Sequence, residues 1–114
     1  MPMPLMNVYI VHRGQRHSAV ALLTKRVPFN LISQKLFEKL FGQSWFEVPT
    51  PLIFYKGAVK IEINRVADLQ VEIGKIIIKL RVYVSDEAMS AAMEPCDIII
   101  GRETLEKYKI QVFE

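Results

Sequence analysis

One cysteine, Cys96, is all the sequence holds. No disulfide can close within the chain, and no Cys pair offers zinc spacing. Glycine is sparse, at five residues, and no Gly-rich loop stands ready to cradle a phosphate. Uninterrupted apolar runs stay well short of the ~18–20 residues of a membrane-spanning helix. The opening stretch, MPMPLMNVYIV, lacks a basic segment ahead of a long apolar one, so no signal peptide is expected. Tandem repeats and low-complexity tracts are missing as well. A reducing, cytoplasmic setting without membrane contact is the default expectation for such a chain.

What remains is apolar and mixed in charge. Hydrophobic residues make up 51% and charged residues 24% of the 114 positions, a balance that favours a folded domain over disorder. The length suits one domain, residues 1–114, with one modest core. Net charge is +3 and the sequence pI is near 9.1. That mild basicity does not by itself imply a nucleic-acid partner. Richness in Ile, Lys and Glu with little Asn leans toward a thermophile.

Most of the chain reads as short strands. NVYIV and HSAVALL flank HRGQR, with Gly14, as a hairpin. His12 and His17 border its turn and are expected opposite each other. Two imidazoles without a third ligand make a poor metal site, and no metal or cofactor is expected. Ser33 stands as a helix N-cap ahead of QKLFEKLF, where Leu36, Phe37, Leu40 and Phe41 share a face and Gly42 ends the helix. Pro49 and Pro51 make SWFEVPTPLIFY an extended edge or a loop. VKIEI alternates, with Val59, Ile61 and Ile63 expected inward. DLQVEI and IIIKLRVYV alternate around Gly74-Lys75, which suits a type II′ turn. On IIIKLRVYV, Ile76, Ile78, Leu80, Val82 and Val84 share one face. SDEAMSAAMEP reads as a loop with at most a helical turn. CDIII is a strand buried on both faces, RETLEKY a short helix, and KIQVF a last strand. The sum is an all-β domain, closed or sandwich-like, with one or two short helices.

Two segments, taken together and in this order, carry a resemblance. CDIIIGRETLEKYKIQV resembles the carboxy-terminal signature of retropepsin-like aspartic proteases, with Asp97, Gly101 and Arg102 at its structural positions. ALLTKRVPFNLIS resembles the family's catalytic stretch, in which Ala-Leu-Leu leads into Asp-Thr-Gly and later into Asn-Leu-Ile-Ser and a helix. DLQVEIGKIIIKLRVYV is similar to the central hairpin. FYKGAV is similar to the mobile flap, with Tyr55 and Lys56 at the tip and Gly57 in the turn. The resemblance implies a retropepsin-like closed barrel and an isologous homodimer built through the terminal strands MNVYIV and KIQVFE.

The resemblance breaks at the chemistry. Thr24 stands where the family has its Asp, Lys25 where it has Thr or Ser, and Arg26 where it has Gly. The family mechanism needs two carboxylates that share a proton and polarise a water. A Thr hydroxyl cannot act as that base near neutral pH. Of the other aspartates, Asp68, Asp86 and Asp97, none lies in the Thr24 turn. In the implied dimer two Lys25 and two Arg26 would replace two carboxylates on the cleft floor. Arg102, lacking a nearby acid after Thr24, would pair with Glu103, Glu106 or a backbone carbonyl. Three functions follow as expectations. The first is a catalytically inactive domain that dimerises and binds a peptide or protein. The second is a peptide hydrolase with an unconventional site. The third is an anion or nucleic-acid binder through Lys25 and Arg26.

Overall fold

The computed structural model describes residues 5–112. Among the described residues, seven strands and three short helices follow one another: β1 (Leu5–His12), β2 (Gln15–Leu23), β3 (Leu31–Ile32), α1 (Gln34–Phe41), β4 (Phe46–Lys56), β5 (Val59–Ile73), β6 (Ile76–Val84), α2 (Glu87–Met93), β7 (Ile98–Ile100) and α3 (Arg102–Lys107). The strands hydrogen bond in the order β1-β2-β7-β3-β6-β5-β4, and β1 also pairs with β5. That extra pairing, Tyr9 with Glu72 through Val11 with Gln70, closes six strands into a barrel. Closure removes the sheet edges that would otherwise seek partners. Only β4 stands outside the ring, paired with β5 alone among the described residues.

Turn chemistry sets the hairpin registers. Arg13 and Gly14 both adopt positive φ between β1 and β2, the type I′ pattern that matches strand twist. Gly74 has φ 60° while Lys75 does not take positive φ, in keeping with the expected type II′ turn. The β1–β2 register corrects one expectation. His12 faces Gln15 and His17 faces Ile10, so the two imidazoles are not opposite each other. His12 instead meets Phe41 edge-on, with ring centroids 4.5 Å apart.

β5 is one strand where the sequence suggests two. Its second half, from Val66, pairs with β6, and its first half pairs with β4. It therefore runs from the barrel wall out into the β4–β5 hairpin. The two halves feed different cores. Ala67, Leu69, Val71 and Ile73 join the barrel cluster with Val8, Ile10, Ala21, Leu23 and Ile98. Ile61 and Ile63 join a second cluster with Leu22, Leu31, Met93 and Cys96. β2 lies between them, which is why Leu22 and its neighbours Ala21 and Leu23 are all buried. Val59, expected inward, is 63% exposed because it lies beside the hairpin turn, beyond the reach of either cluster.

The helices are capped as their sequences require. The Ser33 hydroxyl accepts from the Leu36 N–H, and Gly42 ends α1 at φ 64° with its N–H on the Glu38 carbonyl. Asp86 caps α2 by accepting from the Met89 N–H, so SDEAMSAAMEP contains a true helix. The last expected strand is corrected. Residues 110–112 form no ladder, and Ile110 and Val112 pack on the barrel cluster instead. Phe113 and Glu114, the end of that expected strand, lie outside the described residues, as do residues 1–4. Among the described residues no helix is long and apolar enough to cross a membrane.

Candidate functional site

The parallel pair β2–β7 delivers two chain segments to one end of the barrel. Leu23 pairs with Ile100, and the next N–H, of Thr24, still donates to the Ile100 carbonyl at 3.0 Å. From there residues 24–30 loop over Gly101. The Arg102 N–H donates to the Val27 carbonyl at 2.8 Å and the Glu103 N–H to the Pro28 carbonyl at 3.3 Å. Contact is so close that a Cβ on Gly101 would lie 2.1 Å from the Phe29 carbonyl oxygen. Only glycine fits there, and the reason is space.

Asn30 locks the crossing. Its side-chain oxygen accepts from the Gly101 N–H at 2.9 Å. Its amide donates to the Arg81 carbonyl at 2.9 Å and to the Thr104 hydroxyl at 2.7 Å. A buried amide has few routes to full satisfaction, and this one ties β3, β6, the glycine loop and α3 together. In the sequence it shows as a lone amide inside the apolar run FNLIS, at the start of the Asn-Leu-Ile-Ser segment that carries part of the resemblance.

Thr24 is buried, at 5% exposure. Its hydroxyl accepts from the Arg26 N–H at 3.1 Å, a local turn bond of the kind Ser and Thr often make. Lys25 and Arg26 are exposed. Arg102, also exposed, donates to the Lys25 carbonyl at 3.1 Å. Of its three expected partners the structure thus selects a backbone carbonyl.

The three aspartates are engaged elsewhere. Asp97 accepts from the Val20 N–H at 2.9 Å, while its own N–H and carbonyl bond Val20 and Ser33. It extends the β2 ladder and steadies the start of α1. Asp86 caps α2. Asp68, on β5, forms a two-pronged pair with Arg81, at 2.9 and 3.2 Å. That hydrogen bond, with Arg81's charge, holds the Asp68 carboxyl below the usual range, against a smaller opposing effect of burial. Burial pushes the Cys96 thiol up, and the thiol donates to the Met93 carbonyl.

The β4–β5 hairpin brings Tyr55 opposite Lys60 and Lys56 opposite Val59, with Gly57 at φ 63° in the turn. Its register breaks between Glu47 and Leu52, where Pro49 and Pro51 cannot donate to a ladder. Tyr55 is 68% exposed. Phe54 stacks on Phe29 with centroids 5.9 Å apart, and Phe29 meets Tyr83 edge-on at 6.4 Å. The hairpin arm is thereby tied to the same loop that carries Lys25 and Arg26.

A separate groove of about 880 Å³ lies between α1 and α2, lined by residues such as Gln34, Lys35, Glu38, Glu87 and Glu94. None of Thr24, Lys25, Arg26, Tyr55, Lys56 or Gly57 reaches it. Among the described residues no group of three or more His, Cys, Asp or Glu is placed to hold a metal ion.

A closed six-stranded barrel with crossed loops at one end and a projecting hairpin is a retropepsin-like fold. The solved structure of EIAV protease complexed with the inhibitor HBY-793 matches it with a TM-score of 0.69, over 99% of this chain and 94% of that one, at 16% sequence identity. No family model matches the sequence, and no curated protein matches it. The likeness thus lies in the fold.

Proposed function

We propose that this chain is a catalytically inert retropepsin-like domain that pairs with a second copy of itself and binds an extended peptide or protein segment. The observation that carries this reading is the use made of the Thr24 turn. Its hydroxyl closes a bond to the Arg26 N–H within its own turn. The next two side chains are exposed cations. Each aspartate is occupied in a cap, a ladder or an ion pair away from that turn. Acid proteolysis requires a pair of carboxylates sharing a proton, and nothing in residues 24–26 can supply one.

The hairpin of β4 and β5 is read as a flap. One edge of β4 has no partner among the described residues, and such an edge accepts an added strand through main-chain hydrogen bonds. The second copy would join through the terminal segments, around β1 and the residues after α3, in an isologous interface.

Incubation with unfolded proteins and peptide libraries from acidic to neutral pH is expected to give no cleavage, and sedimentation to give a dimer. Cleavage that disappears in Thr24→Ala, Asp68→Asn or Asp97→Asn would establish an unconventional hydrolase instead. A monomer at high micromolar concentration would remove the dimer from the reading.

A further inference from the structure

β3 covers only Tyr83 and Val84 of β6. Below them, the β6 edge turned away from β5 meets side chains in place of a strand. Asn30 serves the Arg81 carbonyl. Two residues away, the Tyr108 hydroxyl serves both backbone groups of Lys79. It accepts from the Lys79 N–H at 3.1 Å and donates to the Lys79 carbonyl at 2.9 Å. Both bonds lie at the surface, where water would replace them at little cost in stability. Water would not fix the place of Tyr108.

Tyr108 ends α3, and the turn after it carries strain. Lys109 takes φ 55°, a left-handed value that a residue with a Cβ adopts at a cost. Its N–H donates to the Glu106 carbonyl at 3.2 Å, and the Ile110 N–H donates to the Leu105 carbonyl at 2.8 Å. This is a Schellman ending, a motif usually built on glycine, and Ile110 packs on the cluster that holds Leu105. Such strain persists only where the surroundings over-determine it, and it concentrates where a fixed geometry serves a function.

The segment so aimed has the pattern of half a ladder. Ile110 and Val112 pack on the barrel cluster while Gln111 is exposed, the period of a strand. Residues 110–112 nevertheless pair with no strand among the described residues. Met6 of β1 packs on the same cluster, and β1 pairs with β5 only from Tyr9 to Val11.

We propose that Tyr108 and Lys109 are positioning residues for self-association: the clamp on β6 and the left-handed turn aim residues 110–112 so that a second copy completes their ladder. This rests on the dimer reading above and adds which residues set its geometry. Pre-organisation is the physical reason. A segment already held in its bound direction loses less conformational entropy on pairing than a free one.

The test is analytical ultracentrifugation of the wild type, Tyr108→Phe, Lys109→Gly and Lys109→Val. Hydrogen exchange at the Lys79 amide is followed in parallel, and melts are run below the dimer dissociation constant. Tyr108→Phe is expected to weaken the dimer about tenfold, the cost of ordering roughly one further backbone residue on pairing. It should speed exchange at Lys79 while the monomer's Tm stays within about 3 °C. Glycine accepts positive φ and a β-branched residue resists it. Lys109→Gly should therefore pair as the wild type does, and Lys109→Val about tenfold more weakly, although both remove the same charge. Dimers as tight in Tyr108→Phe and Lys109→Val as in the wild type overturn the proposal and leave the dimer reading standing. A wild type that stays monomeric at high micromolar concentration overturns both. Unfolding of the Tyr108→Phe monomer would make the clamp a folding contact and overturn its assignment.

Discussion

The side-chain oxygen of Asn30 accepts the N–H of Gly101 at 2.9 Å, across 71 residues of sequence and at the point where two chain segments cross. The same amide serves the Arg81 carbonyl and the Thr104 hydroxyl. Replacing it with an apolar residue of similar size strands three polar groups in a buried site. Asn30→Leu is expected to lower stability by about 3 kcal/mol or more, since each unsatisfied buried group costs about 1–3 kcal/mol. Thr104→Val removes one of those bonds and is expected to cost about 1 kcal/mol. The double variant should be less than additive, because both changes touch one network. Urea denaturation reads all three, and strict additivity would show that Asn30 and Thr104 act independently.

Gly101 separates two reasons for keeping a glycine. Its φ is −93°, a value open to any residue, yet an added Cβ would sit 2.1 Å from the Phe29 carbonyl oxygen and 2.7 Å from that of Val27. Both are backbone atoms, and the Val27 carbonyl also accepts from the Arg102 N–H, so neither can step aside cheaply. Gly101→Ala is expected to destabilise by about 3 kcal/mol or more, or to prevent folding. Gly14 is the reverse case, with φ 74° and nothing within 4 Å of its Cβ position. Gly14→Ala is expected to cost only about 1 kcal/mol through backbone strain. Thermal melts of the two variants should therefore differ widely.

These two positions also mark how far local pattern reaches. Ser33 as a cap, Gly42 as a stop and Gly74-Lys75 as a turn are legible because each is decided within a few residues. Alternation likewise finds the buried faces of β5 from Leu69 to Ile73 and of β6 from Ile78 to Val84. It fails at Val59 and Ile76, 63% and 44% exposed, because alternation says which face a residue takes and not how far the core extends under it. The roles of Asn30 and Phe29 depend on partners more than 20 residues away and leave no periodic trace. At the candidate site, the exposed cations and the Gly57 turn could be read from the sequence. The inward, turn-closing bond of Thr24 could not.

Asp68 and Arg81 give stability a modest acid dependence. The arginine's hydrogen bond and charge hold the carboxyl below its ordinary value. A depressed folded-state pKa means the pair's contribution is fully present above the unfolded value of about 3.9. It is lost as pH falls through the folded value. Both side chains are more than half exposed, at 62% and 56%, so solvent keeps the effect small. Asp68→Asn is expected to melt slightly below wild type at pH 7, with the gap closing toward pH 2 and narrowing in high salt. A gap that widens on acidification would show that the pair is not its source.

Placing an acid at position 24 tests the proposed inertness of the turn. In Thr24→Asp the new carboxylate can accept the Arg26 N–H as the hydroxyl does, so the turn should keep its shape. Beside Lys25 and Arg26, however, its pKa would fall, and neighbouring cations in a dimer would leave both carboxylates ionised. Two ionised carboxylates share no proton and cannot activate water as the acid mechanism requires. Thr24→Asp alone is therefore expected to give no peptide cleavage from neutral to mildly acidic pH. Thr24→Asp/Lys25→Thr/Arg26→Gly removes the cations and returns a glycine to the turn, and is expected to show cleavage at acidic pH. Assays of both variants on one quenched fluorescent peptide set separate the cases. Activity in the single variant would mean that the cations do not hold the site silent. Silence in the triple variant, if it still dimerises, would place the block in the geometry of the paired turns and not in their charge.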